Sequence, residues 1–401
     1  MNVAIFASAF HPSLGGVEEL VRQLAHEYRR QGIASIVLVN RWPRSLPAEE
    51  SIEGIPVYRL AMRMPEYNLR VRLNYALGYP WARARMLGIL RRHKINVLHV
   101  QCVSANGHYA AIAARALGLP LVVSSQGERT MDAERVYEKS PFINRVLRRL
   151  LAEADRVTAC SRATLDDLES FSGRSLGERG AVVYNGIRLE DFDGVEPYRH
   201  ARPYILGIGR LVRQKGFDVL IEAFAASGLD THDLLLAGDG PERAELELLA
   251  RKLHIEARMK FLGRADRATV AGLFRGCEFF VLPSRQEPLG IVNLEAMAAG
   301  KAVIASRTGG VGEIVADGET GLLTPGEDAM SLAGALRRLA GDKTLRERLG
   351  AAGRERVRQF TWESVAASYR RIYDAAITGR AGGRSAAAQP VGAHVPILET
   401  E

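Results

Sequence analysis

The chain has 401 residues, of which 47% are hydrophobic and 25% charged, and its formal net charge is +8. This length exceeds one ordinary hydrophobic core, so two domains are expected, and the composition excludes an intrinsically disordered chain. Its three cysteines are widely spaced without a CxxC pair, which argues against a zinc site and for reduced thiols in the cytoplasm. No apolar run reaches the length of a membrane span, and the first residues lack the features of a signal peptide.

The first half alternates strand and helix patterns. Residues 3–7 predict a strand, and the apolar stripe from Val17 to Tyr28 predicts a helix that ends at Gly32. The other predicted strands are at residues 35–39, 97–100, 121–124, 156–159 and 182–186, and the other predicted helices are at 109–117 and 143–154.

The second half repeats this rhythm. Strands are predicted at residues 204–209, 233–237, 259–262, 279–283 and 302–305, and helices at 217–226, 243–253, 268–275 and 291–299. Repeated strand–helix units in both halves predict an α/β protein with two parallel sheets covered by helices.

The domain boundaries follow from composition and periodicity. The segment 191–203, which contains Gly194, Pro197 and Pro203, predicts a linker between an N-terminal domain (1–190) and a C-terminal domain (204–360). Residues 361–378 predict an amphipathic helix, which we expect to pack back on the N-terminal domain. The Gly-, Ala- and Ser-containing residues 379–401 predict a disordered tail.

Two carboxylates, Glu287 and Glu295, lie eight residues apart around a strand-to-helix turn. Open α/β sheets bind ligands at the carboxyl ends of their strands, and the start of a helix offers free N–H groups and a positive dipole end that suit a phosphate. One acid can then meet a polar group on each side of a diphosphate, as in a nucleotide sugar. Alone, the pair also fits a solvated loop acid and an acid that complements the helix dipole.

A basic, glycine-containing segment follows the first strand of the second half, at residues 207–216. Arg210 leaves the end of the strand, and Lys215 lies five residues later, before the next helix. Positive charge and close backbone approach suit a diphosphate, and a solvated basic turn fits the same residues. Glycine pairs also stand at two other turns, Gly15–Gly16 and Gly309–Gly310, where they let a backbone approach a ligand or simply make a tight turn.

Together and in this order, the motifs resemble those of the retaining glycosyltransferases of the group 1 family, also numbered family four. The resemblance covers about residues 1–373 and is carried by Gly15–Gly16, 185–187, Gly209–Arg210, Lys215–Gly216, 237–241, 261–263, 283–284, 287–295 and Gly309–Gly310. It implies the GT-B fold, in which two Rossmann-like, doubly wound parallel-sheet domains face a central cleft.

The resemblance also implies roles for individual residues. Arg210 and Lys215 correspond to the cations on the donor diphosphate. Glu287 corresponds to the acid near the transferred sugar, where it supports an oxocarbenium-like transition state, so these three are the implied catalytic residues. The implied donor site further includes Glu295 at the ribose hydroxyls, Gly16 in the loop that closes over the diphosphate, and the backbone N–H groups of Leu289, Gly290 and Ile291.

No cofactor and no metal is implied beyond the donor, which is a UDP-, GDP- or ADP-sugar. The chain has neither clustered histidines nor paired cysteines. Transfer without a divalent metal is therefore expected, with the two cations neutralising the leaving diphosphate.

One position departs from the family pattern. The turn after residues 121–124 commonly carries a histidine in this family, and here it carries Gln126. Glutamine hydrogen-bonds a sugar hydroxyl but cannot act as a base near neutral pH. The implied mechanism is front-face transfer, in which the leaving diphosphate helps to deprotonate the acceptor, and it needs no protein base. Gln126, Glu128 and His108 are expected on the acceptor side of the cleft.

The positive charge is concentrated from Arg59 to Lys94, where eight arginines and one lysine face the single acid Glu66, a balance of 9 − 1 = +8. Basic residues interleaved with apolar and aromatic ones suit an anionic membrane surface, and they also fit a solvated face of a packed helix. Nucleic acid is not expected, because no recognition motif accompanies the charge.

The sequence thus predicts a retaining hexosyltransferase that acts on a glycan or lipid-linked acceptor in cell-surface polysaccharide or glycolipid biosynthesis. It would be cytoplasmic, at the cytoplasmic face of the membrane if the basic stretch binds lipid. The alternatives are an enzyme like a nucleotide-sugar epimerase on a similar fold and a non-catalytic sugar-binding module. The order of the motifs argues against the first, and the presence of both acids and both cations argues against the second.

Overall fold

The structure is a computed structural model, and it describes residues 1–13, 15–64, 69–131 and 136–387. Within this part of the chain, none of the helices combines the length and the apolar character that crossing a membrane requires.

The first half of the chain forms one sheet of eight strands, in the order β3-β4-β2-β1-β5-β6-β7-β8. All neighbouring strands are parallel except β3 and β4, which form an antiparallel hairpin at one edge. The elements are β1 (Asn2–Ala7), α1 (Gly16–Arg30), β2 (Ala34–Asn40), β3 (Glu49–Ile52), β4 (Ile55–Leu60), α2 (Leu69–Arg92), β5 (Val97–Gln101), α3 (Ala105–Leu117), β6 (Leu121–Ser125), α4 (Val136–Lys139), α5 (Pro141–Glu153), β7 (Arg156–Ala159), α6 (Arg162–Ser172) and β8 (Gly180–Val182).

The second half forms a parallel sheet of six strands, in the order β11-β10-β9-β12-β13-β14. Its elements are β9 (Tyr204–Ile208), α7 (Phe217–Ser227), β10 (Asp233–Ala237), α8 (Arg243–Lys252), β11 (Met259–Gly263), α9 (Arg267–Gly276), β12 (Phe279–Leu282), α10 (Ile291–Ala298), β13 (Ala302–Ser306), α11 (Val311–Ile314), β14 (Gly321–Thr324), α12 (Ala329–Gly341), α13 (Lys343–Arg356) and α14 (Trp362–Ala387).

Helices cover both faces of each sheet, because successive side chains of a buried strand point to opposite sides. In β1, Ala4 and Phe6 pack in the core beneath α2, α3 and α5, whereas Val3 and Ile5 pack in the core beneath α1 and α14. The predicted fold class is confirmed: each half is a doubly wound parallel α/β sheet, and only the β3–β4 edge departs from the parallel pattern.

The β3–β4 hairpin was not predicted. Its first strand is a short, polar edge strand, and β4 contains Arg59, which interrupts the apolar run that a buried strand usually shows. Arg59 is nevertheless almost fully buried, because its guanidinium pairs with Glu50 and donates to the carbonyl of His11. The expected basic surface therefore does not include Arg59.

The strand order reverses beside the first strand of each sheet, where β1 lies between β2 and β5 and β9 lies between β10 and β12. A ligand crevice forms outside the carboxyl ends of the strands at such a switch point. The fold thus predicts binding surfaces next to β1 and β9.

The last helix, α14, returns to the first domain and packs against α1. The hydroxyl groups of Tyr28 and Tyr373 lie 2.5 Å apart, and Arg380 pairs with Asp155 at 3.3 Å. This helix continues to Ala387, so the prediction of a disordered tail from residue 379 is wrong for residues 379–387. Extending an existing helix fixes few dihedrals per added hydrogen bond, which favours continuation even though glycines in this stretch have low helix propensity. Residues 388–401 lie outside the described residues.

Candidate active site

A cavity of about 450 Å³ lies between the two domains, at the carboxyl ends of both sheets. Its first-domain wall is formed by Gly16, Val17, Leu20, Gln126, Met131, Cys160 and Asn185, and its second-domain wall by Arg210, Lys215, Glu287, Pro288, Leu289, Gly290, Ile291 and Val292. All the residues predicted for catalysis and donor binding line this cavity except Glu295. Gln126, which was predicted on the acceptor side, lines it as well.

Glu287 is the central acid of the cavity. It follows β12, and only 7% of it is exposed. Its carboxylate accepts hydrogen bonds from Lys215 Nζ at 2.5 Å and from Ser284 Oγ at 2.9 Å. Because the acid and the cation are both shielded from water, their attraction is stronger than that of a surface pair.

The Gly309–Gly310 turn supports the Glu287 loop from behind. Gly310 N donates to the carbonyl of Glu287 at 3.1 Å. A Cβ at Gly309, which has φ +51°, would lie 1.9 Å from that same carbonyl oxygen. Glycine is therefore required there so that the two loops can touch, and the pair acts on the site through Glu287.

The helix start at which the sequence predicts phosphate binding is the start of α10, at Ile291. Gly290 precedes the helix with φ +87°, a left-handed conformation that glycine adopts without strain. The first N–H groups of a helix have no intrahelical partner and favour an anion. Arg210 is exposed at the end of β9, faces the same cavity and forms no ion pair with the other described residues.

Glu295 is the predicted donor-site residue that does not line this cavity. It lies in the second turn of α10, is 7% exposed and forms an ion pair with Arg267. Burial raises the pKa of the Glu295 carboxyl, and the positive charge of Arg267 partly opposes that rise. Arg267 also pairs with Asp191 at 2.9 Å. Sequence reasoning missed Arg267, because no motif marks it.

The expectation of transfer without a metal overlooked one Asp-x-Asp sequence in the chain, Asp191-Phe192-Asp193. Asp191 pairs with Arg267 and Asp193 with Arg354, while Phe192 is buried between them. Among the described residues, no three His, Cys, Asp or Glu side chains are grouped as metal ligands.

On the opposite wall, Gln126 is held by two other amides. Its Oε1 accepts from Asn185 Nδ2 at 2.8 Å, and its Nε2 donates to Gln101 Oε1 at 3.5 Å. Gly16 opens α1, and a Cβ placed there would meet nothing within 4 Å, so its surroundings are open.

The structure does not place Glu128 in the cavity. Its carboxylate accepts from the backbone N–H groups of Val103 and Gln126 and from Ser125 Oγ, at 2.9, 2.8 and 2.8 Å. These bonds use both oxygens to hold the loop that carries Gln126. The expectation of a direct acceptor contact is therefore replaced by a supporting role, since an acid next to free N–H groups binds them first.

His108 also lies outside the cavity. Its Nε2 is 3.0 Å from Tyr75 Oη, and its ring packs against Tyr109 and Phe142. Burial lowers the pKa of His108, with a smaller contribution from Arg115. Its half-buried aromatic setting beneath α2 indicates a structural residue, contrary to the expected acceptor contact.

Two contacts join the domains beside the cavity. A Cβ at Gly127, which has φ +80°, would lie 2.2 Å from Pro288 Cγ, so the Gln126 loop packs directly on the Glu287 loop. Glu313 of the second domain accepts from the backbone N–H groups of Arg162 and Ala163, at 2.9 and 3.3 Å, and thereby caps α6 of the first domain. These contacts fix the position of one wall of the cavity relative to the other.

Known proteins are similar to this chain over nearly its whole length. A GDP-mannose-dependent alpha-mannosyltransferase of Mycolicibacterium smegmatis is 29% identical, over 96% of this chain and 100% of its own length. Among solved structures, sucrose-phosphate synthase from Thermosynechococcus elongatus has a TM-score of 0.76 and 24% identity, with 94% of this chain and 99% of that chain covered. Anabaena HepE in complex with UDP-glucose has a TM-score of 0.71 and 21% identity, with 96% and 100% covered.

Two family models divide the chain at the same place as its two sheets. The model for Glycosyltransferase Family 4 matches residues 14–191, and the model for Glycosyl transferases group 1 matches residues 190–356. The chain belongs to the group 1 glycosyltransferases and has their GT-B fold.

Proposed function

We propose that this protein is a retaining glycosyltransferase that moves a hexose from a nucleoside diphosphate sugar to a glycan or a lipid-linked acceptor without a divalent metal. The observation that carries the proposal is the ion pair between Lys215 and the buried Glu287, which lines the same wall of the cavity as Arg210 and the start of α10. Cations and helix N–H groups suit a diphosphate, and a fixed carboxylate beside them suits a sugar carbon that becomes positive in the transition state.

In this proposal, Arg210, Lys215 and the start of α10 bind the diphosphate and stabilise it as it leaves. Glu287 holds the sugar hydroxyls and stabilises the oxocarbenium-like transition state. Glu295 binds the ribose hydroxyls once the donor is seated. The departing phosphate oxygen takes the acceptor proton on the same face, so the new bond keeps the anomeric configuration. Gln126, which cannot act as a base, is consistent with that route.

The donor is a UDP-, GDP- or ADP-sugar in this proposal. The mannosyltransferase relative is named for GDP-mannose, and the HepE structure contains UDP-glucose. A second cavity of about 740 Å³ shares Arg210 with the first and is lined by polar side chains of both domains, such as Asn144, Gln214 and Gln286. Its size and polarity suit a carbohydrate acceptor in cell-surface polysaccharide or glycolipid biosynthesis.

Incubation with a panel of nucleotide sugars and glycan acceptors tests this function. We expect free nucleotide to be released in proportion to product, with the donor's anomeric configuration kept in the product and with full activity in a chelator. An inverted product would contradict the retaining mechanism, and loss of activity in chelator that magnesium restores would contradict metal independence. Nucleotide sugar converted to an epimer without acceptor would contradict transfer itself.

We further propose that α2 binds the cytoplasmic face of an anionic membrane. Leu73, Leu77 and Trp81, spaced four residues apart on one helix face, are 60%, 74% and 61% exposed. The exposed Arg83 and Arg91 on the same helix form no ion pair with other described residues, whereas Arg85 and Arg92 pair with Glu49. Apolar side chains flanked by arginines favour the interface of an anionic bilayer.

Vesicle sedimentation tests the membrane proposal. We expect pelleting with vesicles that contain anionic lipid, little with neutral vesicles, and release at about 1 M salt, where screening acts over roughly 3 Å. The triple variant L73S/L77S/W81S should pellet much less, and Arg83→Ser with Arg91→Ser should weaken binding further. Because the donor cations lie in the other domain, nucleotide affinity is the control. Equal pelleting by wild type and triple variant would overturn the proposal.

A further inference from the structure

A chain of hydrogen bonds leads from the cavity into the interior of the first domain. Gln126 Nε2 donates to Gln101 Oε1 at 3.5 Å, and Gln101 Nε2 donates to Tyr369 Oη at 3.3 Å. Tyr369 Oη lies 3.2 Å from Ser124 Oγ. Gln101, Tyr369 and Ser124 are all buried, and they come from β5, α14 and β6. The C-terminal helix therefore reaches Gln126 through one intermediate side chain.

These bonds have a single direction. An amide nitrogen only donates and an amide oxygen only accepts, so Asn185, Gln126 and Gln101 each donate to the next member. The chain ends in a hydroxyl group, which accepts from Gln101 and can donate onward to Ser124. Beyond it lies His99, whose Nε2 is 2.6 Å from Ser124 Oγ, and burial lowers the pKa of His99 to about 3. The whole network is thus uncharged at neutral pH.

The direction of the chain determines what Gln126 offers to the cavity. One N–H of its Nε2 is used by Gln101 and one lone pair of its Oε1 by Asn185. Rotating the amide by half a turn would place oxygen against oxygen at Gln101 and nitrogen against nitrogen at Asn185. One N–H and one lone pair of the amide are left over from these two bonds, and Gln126 lines the cavity.

We propose that Gln101 and Tyr369 are positioning residues that lock the amide of Gln126, so that its free N–H and lone pair bind one hydroxyl group of the acceptor. This proposal rests on the proposed function, because it assumes that the acceptor binds in the cavity on the wall opposite Glu287. The acceptor hydroxyl would accept from Nε2–H and lie beside Oε1, which selects a neutral hydroxyl over a charged group at this wall.

The test is Tyr369→Phe, which removes the group that accepts from Gln101 and lets both amides rotate. We expect the acceptor KM to rise about fivefold to tenfold, the effect of one neutral hydrogen bond, while the donor KM and kcat stay within about twofold. Gln101→Met should have the same effect. Tyr28→Phe is the matched control, since it removes another buried hydroxyl that contacts α14, at Tyr373. That hydroxyl reaches Gln101 only at the far end of the network, through Tyr373, His99, Ser124 and Tyr369.

A readout that does not need catalysis accompanies the kinetics. In protein labelled with ¹⁵N-glutamine, the side-chain amide signal of Gln126, assigned by its loss in Gln126→Glu, should shift in Tyr369→Phe and stay in place in Tyr28→Phe. The proposal would be overturned if Tyr369→Phe and Tyr28→Phe had equal kinetic effects or if only the donor KM rose. It would also be overturned if the amide signal of Gln126 did not move in Tyr369→Phe. If wild type transfers no sugar at all, the proposed function fails, and the amide signal still decides whether Tyr369 positions Gln126.

Discussion

The two walls of the cavity use different chemistry. The second-domain wall carries Arg210, Lys215 and Glu287, two cations and an acid, whereas none of the first-domain residues that the structure describes at this cavity is charged. On the first wall, polarity is supplied by the amides of Gln126 and Asn185. We therefore expect the two walls to have different roles. The second-domain wall would stabilise the charges of the donor, and the first-domain wall would bind a neutral hydroxyl group through the amide of Gln126.

The walls also differ in how the chain builds them. The charged wall comes from two short segments, residues 207–216 and 283–292, each at the end of one strand. The neutral wall combines the start of α1 with the ends of β6 and β7 and the turn after β8. Substitutions on the charged wall should therefore have large effects on turnover, and those on the neutral wall small effects on affinity.

The largest expected effect is that of Glu287→Gln. Glutamine keeps the shape and can still accept from Ser284 and Lys215, but it removes the negative charge that would face the developing positive charge. We expect kcat to fall by roughly 10²–10³ with little change in donor affinity. Steady-state kinetics with a titration of nucleotide diphosphate measures both quantities. Near-normal turnover would mean that the negative charge of Glu287 does not stabilise the transition state, and the proposed difference between the two walls would fail.

Arg210→Ala should weaken the binding of nucleoside diphosphate by about tenfold to a hundredfold, because a hydrogen bond to a charged group contributes roughly 1.5–3 kcal/mol. Arg213→Ala is the matched control, since Arg213 lies three residues later and lines only the neighbouring cavity. Calorimetric titration with the nucleoside diphosphate compares the two variants. Equal losses would mean that general positive charge, and not the placement of Arg210, attracts the diphosphate.

Arg267→Ala tests the buried carboxyl behind the charged wall. Because burial raises the folded-state pKa of Glu295 above 4.5, the folded protein binds this proton more tightly than the unfolded chain, and stability falls as the pH rises through that window. Removing the Arg267 cation raises the folded-state pKa of Glu295 further, so stability continues to fall over a wider range of pH. We expect a loss on the order of 2 kcal/mol at neutral pH, which shrinks as the pH falls.

Urea unfolding at about pH 7.5 and at about pH 5 measures this difference. The control is Arg267→Ala made in the Glu295→Gln variant, which has no carboxyl to titrate at this position. Relative to Glu295→Gln alone, this double variant should lose the same stability at both pH values. A pH-independent loss in the single variant would mean that Asp191, the other partner of Arg267, accounts for the effect.

The smallest expected effect is on the neutral wall, in Gln126→His. A histidine restores the residue that the family commonly has, and it can replace one hydrogen bond but not the paired donor and acceptor. We expect kcat to change by no more than about threefold, and the acceptor KM to depend on pH near 6.5, where histidine titrates. A large gain in kcat would indicate that a base at position 126 contributes to catalysis, and that the first-domain wall does more than bind a neutral hydroxyl group.

The charged wall could be predicted from the sequence, and most of the neutral wall could not. Glu287, Lys215 and the start of α10 belong to local motifs whose strand–turn–helix context is visible in the hydrophobic pattern. Gln126 was found because it stands in a known family position. Its partners Gln101 and Tyr369 are 268 residues apart and carry no motif, so nothing local connects them.

Glu128 and His108 show why proximity in sequence was misleading on that wall. Glu128 follows a predicted strand and His108 precedes a predicted helix. In the structure, Glu128 instead accepts from backbone N–H groups and His108 packs in an aromatic cluster. Periodicity indicates which residues leave a strand, but it does not indicate which neighbours from other elements reach them first.

The sequence by itself determined the alternation of strands and helices, the two-sheet architecture and the position of the charged residues at the ends of strands, because apolar periodicity and glycine turns are local properties of the chain. Only the tertiary structure decided that α14 would continue to Ala387, that Arg267 would pair with Glu295, and that Gln126 would be held by Gln101 and Asn185. These features depend on which buried polar groups can satisfy one another, and that is settled only when distant elements pack together.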